Sequence, residues 1–339
     1  MKIRNRIRDK VLLACLSLIC GFACAPDKTI KLELSTFAPS TDRLTIMLQE
    51  WCDEVGKRTN GRVRVNLHPG ATLTTPSQTY DSVVKEIIDI GFGPMGATTG
   101  RFPFMEVMDL PLGLKSGYKA SMLSMELFKT FRPEELSDVK VLFMLSSPPA
   151  YLQTRNPIRN LEELKGTKLR AVGGTTTRVT AALGAVPLAL GPTDVYDALS
   201  KGVADGAIVI SDALAQLKWG EFLKYTTLNT RTSYVNSGYF VMNLNKWKSL
   251  PSYVQEIIDD MSEEYLEKMS QLWDEKEKDA ITTLKSEGHT TFTLSPEEEE
   301  RWVERVVPVY DEYVREKSAK GIPAADVLEF CRNWVKKNQ

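Results

Sequence analysis

The stretch Asn160–Val172, with the sequence NLEELKGTKLRAV, decides the fold class of this chain. Asn160 followed by Glu163 predicts a capped helix start, because a short polar side chain satisfies the free amides of the first helical turn. Lys168–Val172 then predicts a strand, and Thr175–Ala185 predicts a second helix. A strand placed between two helices is typical of an α/β sheet covered by helices.

The alternation of strands and helices continues on both sides of this stretch. Toward the C-terminus the pattern predicts a strand at Val186–Leu190, a helix at Pro192–Lys201 and a strand at Gly206–Ile210. Toward the N-terminus it predicts strands at Lys31–Phe37, Arg62–Leu67, Ile88–Phe92 and Lys140–Leu145, and helices at Arg43–Thr59, Ser77–Ile88 and Ser116–Phe131. Because the turn-forming run Ser146–Pro149 interrupts the pattern, we predict two α/β units in tandem, divided near residue 147.

The C-terminal third differs, because apolar residues recur there at helical spacing with no interrupting Pro or Gly. The run Ser252–Lys285 predicts one helix about 50 Å long at about 1.5 Å per residue. Such a helix is longer than either sheet needs, so we expect it to cross both units. Ser295–Glu298, with Pro296 at the first helical position, predicts the start of a further, acidic helix.

The N-terminus has the pattern of an export signal. Basic residues between Lys2 and Lys10 precede the apolar run Val11–Ala23. This run is shorter than the about 20 residues that span a bilayer but has the length of a signal-peptide core, so residues 1–23 are predicted to be a signal peptide. Cleavage after Ala23 would make Cys24 the first residue, which is also the position of a lipidated cysteine. Simple secretion and lipid anchoring through Cys24 both remain open.

Composition excludes several classes of function. The 339-residue chain has a net charge of −1, so it lacks the basic field that nucleic-acid binding requires. Its two histidines, His68 and His289, are both expected to be solvated turn residues. No hydrolase or zinc-protease motif is present, so we predict neither an enzyme nor a metal site. Outside the signal region, Cys52 and Cys331 are expected to be either buried free thiols or one disulfide.

Residues Gly91–Gly96 match the G-x-G-x-x-G pattern of dinucleotide-binding loops directly after a predicted strand. Such a loop needs a helix that begins at the last glycine, so that its free amides face the pyrophosphate. The following segment, Ala97–Pro103, cannot hold an uninterrupted helix. We therefore predict a glycine-rich turn that lets the backbone approach a cleft, and no cofactor.

Four consecutive motifs carry a family resemblance: Asn160–Val172, Ala182–Pro187, Asp194–Leu199 and Gly202–Gly206. In order and spacing they resemble the substrate-binding proteins of TRAP (tripartite ATP-independent periplasmic) transporters, the family named for its C4-dicarboxylate members. The resemblance covers most of the chain. It implies a two-domain, periplasmic-binding-protein-like α/β architecture, in which the domains hinge around an interdomain cleft and a long helix crosses both. The corresponding division is 29–147 plus about 236–274 for domain I, and 148–235 plus about 275–339 for domain II.

The resemblance assigns the ligand's carboxylate to an arginine at the end of the "lKiR" motif, which is Arg170 here. A guanidinium at the end of a strand can hold a carboxylate through two parallel charge-assisted hydrogen bonds. The alternative is a surface arginine that pairs with Glu162 or Glu163.

Departures from the family pattern indicate the ligand. Positions where relatives carry polar side chains hold Phe37, Ala150 and Val209 in this chain. A second buried carboxylate without a partner would cost several kcal/mol, whereas an aromatic ring gains about 1 kcal/mol from each well-placed aromatic neighbour. We therefore favour an aromatic or bulky monocarboxylate, such as an indole acid, phenyl acid or 2-oxo acid. A small dicarboxylate, hydroxy acid or oxo acid remains the alternative. The predicted ligand-binding residues are Arg170, Phe37, Phe92, Met95, Ala150, Val209, Tyr239 and Phe240.

The resemblance also implies location and partners. It predicts a periplasmic protein that closes around its ligand and delivers it to the small and large membrane subunits of a TRAP transporter. Contact with the membrane is expected only through those subunits or through a lipid on Cys24. An exported α/β enzyme and a module that presents its ligand to a sensor are the alternatives from other classes.

Overall fold

The computed structural model describes residues 29–338, without the side chains at positions 192 and 193. The predicted signal peptide and Cys24 lie outside the described residues. The strands are β1 (Ile30–Thr36), β2 (Val63–His68), β3 (Ile90–Pro94), β4 (Val139–Ser146), β5 (Tyr151–Thr154), β6 (Lys168–Ala171), β7 (Val186–Ala189), β8 (Gly206–Val209), β9 (Tyr225–Leu228), β10 (Ser237–Asn243) and β11 (Thr290–Thr293). The helices are α1 (Arg43–Arg58), α2 (Thr79–Val84), α3 (Gly117–Phe131), α4 (Leu161–Leu164), α5 (Gly174–Ala182), α6 (Pro192–Ser200), α7 (Ser211–Gln216), α8 (Leu244–Ser249), α9 (Ser252–Ser286), α10 (Pro296–Ser318) and α11 (Ala324–Asn338).

These strands form two sheets, which define two lobes. The first sheet has the order β2-β1-β3-β10-β4, and the second has the order β11-β9-β5-β8-β6-β7. In the first, β10 is antiparallel to both β3 and β4, so β1, β2, β3 and β4 all run in the same direction. The predicted α/β fold class with two sheets is confirmed.

The chain passes between the lobes at two adjacent places. One passage is residues 147–150, between β4 and β5, and the other is residues 233–236, between β9 and β10. The passages are joined by backbone hydrogen bonds, from Ser147 N to Asn236 O at 2.9 Å and from Ala150 N to Tyr234 O at 2.8 Å. Residue 147, near which the sequence predicts a division into two units, lies in the first of these passages.

Helix α9 is the third connection. It has 35 residues and is about 52 Å long, and it packs against α1, α3 and β4 of the first lobe and against α7 of the second. The prediction that this helix crosses both units is confirmed. At the C-terminus, α10 packs against α5 of the second lobe, whereas α11 packs against α3 of the first, where Phe131 and Phe330 meet edge to face at 5.3 Å.

The deciding stretch folds as its sequence indicates. The Asn160 side chain accepts a hydrogen bond from Glu163 N at 2.8 Å and caps α4, and β6 follows. At the predicted start of α10, Ser295 accepts from Glu298 N at 3.2 Å. The Glu298 carboxylate instead reaches the start of α4, where it accepts from Leu161 N at 2.7 Å. The N-termini of α4 and α10 are therefore joined by a hydrogen bond in the second lobe.

Several local expectations need correction. The helix expected at Ser77–Ile88 is only α2, because Glu86 adopts a left-handed conformation with φ of 60°. The sequence pattern did not predict the short strands β5, β9 and β11. His289 is buried and its Nε2 lies 2.6 Å from Leu223 O, so the expectation of a solvated turn residue is wrong.

Cys52 and Cys331 are both buried free thiols, and burial raises the pKa of each to about 12. The free-thiol alternative is therefore the correct one. Neither thiol is ionised at neutral pH, and neither has the character of a reactive cysteine.

Candidate functional site

The topology places the carboxyl ends of the parallel strands of both lobes at the same interface. Because β4 runs parallel to β1 and β3 and leads directly into the second lobe, the carboxyl edge of the first sheet faces that lobe. In the second sheet Tyr151, the first residue of β5, pairs with Val209, the last residue of β8. The ends of β6, β7 and β8 therefore face the first lobe. Ligands of α/β proteins bind at such carboxyl edges, here a cleft between the lobes.

Arg170 lies in β6 at this edge of the second sheet and is 6% exposed. Its Nε donates to Leu190 O, just beyond β7, at 3.3 Å. Its guanidinium carbon lies 5.7 Å from the ring centre of Trp219, close enough for a cation–π interaction. These contacts orient the group and leave the two terminal nitrogens without a hydrogen bond to any residue in 29–338, although they are not sealed from water.

The electrostatic environment of Arg170 contains no balancing carboxylate. No Asp or Glu of the described part of the chain forms an ion pair with it, so the alternative of a surface pair with Glu162 or Glu163 is wrong. Glu162 pairs with Arg301 instead. Burial lowers the pKa of the Arg170 guanidinium, and the nearby Tyr234 hydroxyl opposes that shift. An arginine nevertheless stays charged at neutral pH, so the second lobe holds a largely buried, uncompensated cation.

Phe37 and Phe92 form the aromatic side of the first lobe. Phe37 directly follows β1 and is 39% exposed, whereas Phe92 lies inside β3 and is buried. Their rings stack with centroids 6.3 Å apart and planes 16° from parallel. Met95 follows β3 in a short 3-10 turn and is also buried. The turn has only three residues, so no uninterrupted helix begins at Gly96, and the absence of a cofactor stays a prediction.

Tyr239 and Phe240 are adjacent in β10 and therefore point to opposite faces of the first sheet. Phe240 packs edge to face on Trp51 at 5.0 Å, while Tyr239 packs on Tyr80 at 5.2 Å. Both are fully buried. The structure thus places them in the two core layers of the first lobe, with Phe240 beside Phe92 at 6.2 Å and Tyr239 on the opposite face, and not together on one surface.

Ala150 and Val209 lie where the second lobe meets the passages between the lobes. Ala150 is fully buried and bridges Tyr234, and Val209 is 7% exposed at the end of β8. The residues that fix Arg170, namely Leu190 and Trp219, were not predicted from the sequence. No sequence signal indicates Leu190, because it acts through its backbone carbonyl group. Trp219 could have been noticed, because it is an isolated tryptophan in a polar turn.

No group of Asp, Glu, His or Cys side chains in residues 29–338 could hold a metal ion. No helix in the same range is long and apolar enough to cross a bilayer.

Comparison with known proteins gives the class of the molecule. The model of the family "Bacterial extracellular solute-binding protein, family 7" (DctP) matches residues 34–317. A solved TRAP periplasmic solute-binding protein from Desulfovibrio salexigens, described as an open complex, is 30% identical with a TM-score of 0.85, covering 92% of this chain and 97% of that one. A marine metagenome TRAP solute-binding protein described as specific for aromatic acid ligands, in complex with 3-hydroxybenzoate, is 26% identical with a TM-score of 0.83, covering 91% and 98%. The C4-dicarboxylate-binding periplasmic protein DctP of Rhodobacter capsulatus is 25% identical over 79% of this chain and 81% of its own.

Two lobes joined by adjacent passages, with an oriented arginine at the edge between them, define a protein that binds a small molecule in a cleft. More particularly, the chain belongs to family 7 of the bacterial extracellular solute-binding proteins, and the predicted membership of the TRAP solute-binding family is confirmed. Members of this family are transport proteins, so the chain is a solute-binding protein and not an enzyme.

Proposed function

We propose that this protein captures a small organic acid between its two lobes, with the ligand carboxylate on Arg170, and delivers it to the membrane subunits of a TRAP transporter. The observation that carries the proposal is the pair of Arg170 terminal nitrogens, which are held in position, have no hydrogen-bond partner among residues 29–338 and remain accessible to water. A carboxylate matches this fork with two parallel hydrogen bonds and neutralises the buried charge.

We further propose that the ligand is an aromatic or bulky monocarboxylate. The stacked pair Phe37 and Phe92 offers an aromatic face on the opposite lobe, and the relative that is described as specific for aromatic acids supports this choice. Arg170 is the only uncompensated cation that we identify at the cleft edge among the described residues, so a second carboxylate would be buried without a partner. A C4-dicarboxylate is the second candidate, favoured by the similarity to DctP of Rhodobacter capsulatus.

The remaining assignments belong to the same proposal. Met95, Ala150 and Val209 shape the cleft, and Phe240 supports the aromatic pair from the core, whereas Tyr239 lies in the core layer on the opposite face of the sheet. In the proposed division at residues 147, 236 and 274, the two passages and α9 are the connections between two moving bodies. Helix α11 attaches the C-terminal segment to the first of these bodies. Periplasmic location, a signal peptide at 1–23 and the choice between a free and a lipidated Cys24 complete it.

A thermal-shift and calorimetry panel tests this proposal. Benzoate, 3-hydroxybenzoate, indole-3-acetate and phenylpyruvate are compared with succinate, malate and fumarate, using the wild type, Arg170→Ala and, as a control on the same lobe, the exposed Arg159→Ala. We expect aromatic acids to stabilise the wild type and Arg159→Ala and to leave Arg170→Ala unchanged. Stabilisation by dicarboxylates with inert aromatic acids would select the second candidate. Unchanged affinity in Arg170→Ala would refute the assigned role of this arginine.

A further inference from the structure

A buried charge cluster lies between the lobes, away from Arg170. Lys276 of α9 places its Nζ 2.6 Å from Asp42 Oδ2 and 3.2 Å from Asp212 Oδ2. The three side chains are 6%, 10% and 16% exposed, respectively. One ammonium group therefore contacts a carboxylate of each lobe and is itself almost completely shielded from water.

Both carboxylates belong to segments that continue from the cleft edge. Asp42 follows the segment that begins at Phe37, and it caps α1 by accepting from Leu44 N with Oδ1 at 2.8 Å, which leaves Oδ2 for Lys276. Asp212 lies in the first turn of α7, just after β8 ends at Val209. The distance between the two carboxylates is thus coupled to the distance between the two edges of the cleft.

Neighbouring residues of α9 accept hydrogen bonds from helix starts in both lobes. Asp274 accepts from Gly117 N at 2.6 Å, at the start of α3 in the first lobe. Glu277 accepts from Ser211 N at 2.8 Å and from Asp212 N at 2.9 Å, at the start of α7 in the second lobe. Lys276 lies between them and is the member of this group whose side chain contacts both lobes.

The close approach of Asp42 and Asp212 depends on the positive charge of Lys276. With Lys276 in place, each carboxylate has an opposite charge at hydrogen-bond distance. Without it, Asp42 and Asp212 face each other with no cation between them, in surroundings where water screens the repulsion poorly. The repulsion is relieved by separating the lobes, because each carboxylate is rigidly attached to its own lobe through a helix start.

We propose that Lys276 is a positioning residue that sets the separation of the two lobes by holding Asp42 and Asp212 together, and thereby sets the affinity of the cleft. The part of this inference that concerns affinity rests on the proposed function, whereas the part that concerns lobe separation does not. Lys276 acts on the ligand only through the positions of the two lobes.

Small-angle X-ray scattering of the ligand-free protein tests lobe separation directly. The variants are Lys276→Met, Lys276→Arg, the double variant Lys276→Met with Asp212→Asn, and the control Lys278→Met, which removes an exposed lysine from the same helix. We expect Lys276→Met to increase the radius of gyration, the double variant and Lys276→Arg to restore it, and Lys278→Met to leave it unchanged. If Lys276→Met does not fold, as judged by circular dichroism, the same comparison is made with Asp212→Lys, which replaces one attraction by a repulsion between cations.

Calorimetry with 3-hydroxybenzoate on the same variants tests the consequence for binding. We expect about tenfold weaker binding in Lys276→Met, with recovery in Lys276→Arg, within the range of typical coupling energies. Equal scattering and equal affinity in Lys276→Met and Lys278→Met would overturn the proposal. If no acid binds any variant but Lys276→Met still expands, the proposed function fails and the role of Lys276 in lobe separation stands.

Discussion

Phe37 stacks on Phe92 with ring centroids 6.3 Å apart, and only Phe37 is exposed to solvent to a substantial degree, at 39%. A large apolar side chain at a cleft edge loses contact with water when a ligand covers it. The buried ring of Phe92 supports the exposed ring from below, so Phe37 presents a fixed face. The pair therefore offers a surface suited to a planar ligand.

Replacing Phe37 by Ala tests that surface. We expect the affinity for 3-hydroxybenzoate to fall about fivefold to tenfold, because a good aromatic pair contributes about 1 kcal/mol beyond its buried area. The melting temperature should change little, since the side chain is partly exposed. Isothermal titration calorimetry measures the affinity, and Ile46→Ala, an exposed apolar residue of α1, is the control. An equal loss in both variants would argue against a specific ring contact.

Replacing Arg170 by Lys separates charge from geometry. A lysine keeps the positive charge but cannot donate the two parallel hydrogen bonds of a guanidinium. The hydrogen bond that Arg170 Nε donates to Leu190 O is also lost in this variant. We expect binding of every acid that the wild type binds to weaken by at least about tenfold, or about 1.4 kcal/mol. Competition calorimetry measures this change. Wild-type affinity in the lysine variant would show that charge alone suffices.

Replacing Gly206 by Ala tests the close packing of the second sheet. A Cβ at Gly206 would lie 2.4 Å from Gln153 O of the neighbouring strand, so the strands would have to separate. We expect a loss of about 1–3 kcal/mol in the free energy of unfolding, measured by urea denaturation. Gly96→Ala is the matched control, because a Cβ there meets nothing within 4 Å and the backbone is not left-handed. A loss in Gly96→Ala as large as in Gly206→Ala would contradict the steric explanation.

Asp109 makes the stability depend on pH. Burial raises the pKa of its carboxyl group to about 7, Glu106 adds to the shift and Lys317 opposes it. Between pH 4 and pH 7 the native state thus holds a proton that the unfolded state has lost, so this group stabilises the protein below pH 4 and the stabilisation disappears as the pH rises toward 7.

Asp109→Asn should remove this contribution. We expect the stability of the wild type relative to Asp109→Asn to fall by about 3 kcal/mol from pH 4 to pH 7, as each pH unit between the two pKa values corresponds to about 1.4 kcal/mol. Urea denaturation at several pH values measures the difference. Asp260→Asn, an exposed carboxylate of α9, should show no such trend. A flat difference for Asp109→Asn would mean that Asp109 is ionised throughout this range.

Much of the architecture could be predicted because its signals are local. The cap at Asn160, the strand that carries Arg170 and the 35-residue helix α9 each follow from side chains close together in sequence. Strands β5 and β9, in contrast, have four residues each, and their pairing partners are distant in sequence. Such strands are stabilised mainly by pairing with neighbouring strands, so no local sequence pattern predicts them.

The candidate site was predictable to the extent that residue type implies chemistry. The family motif indicated Arg170, and the lack of polar side chains at positions that line the cleft in relatives indicated Phe37 and Phe92. Tyr239 and Phe240 could not be separated from the cleft surface by sequence, because any aromatic residue in a central strand has the same pattern on either face. Packing on Tyr80 and Trp51 assigned them to the two core layers.

The amino-acid sequence by itself determined the α/β class and the long helix, because periodicity and turn residues act over a few positions, and its resemblance to a family motif singled out Arg170 as a candidate. Only the tertiary structure decided what surrounds Arg170 and what Lys276 connects. Leu190 approaches Arg170 from the next strand, and Asp42 and Asp212 approach Lys276 from separate lobes. Contacts of that kind depend on distances between elements far apart in the chain, and these distances are fixed only when the hydrophobic cores of both lobes have formed.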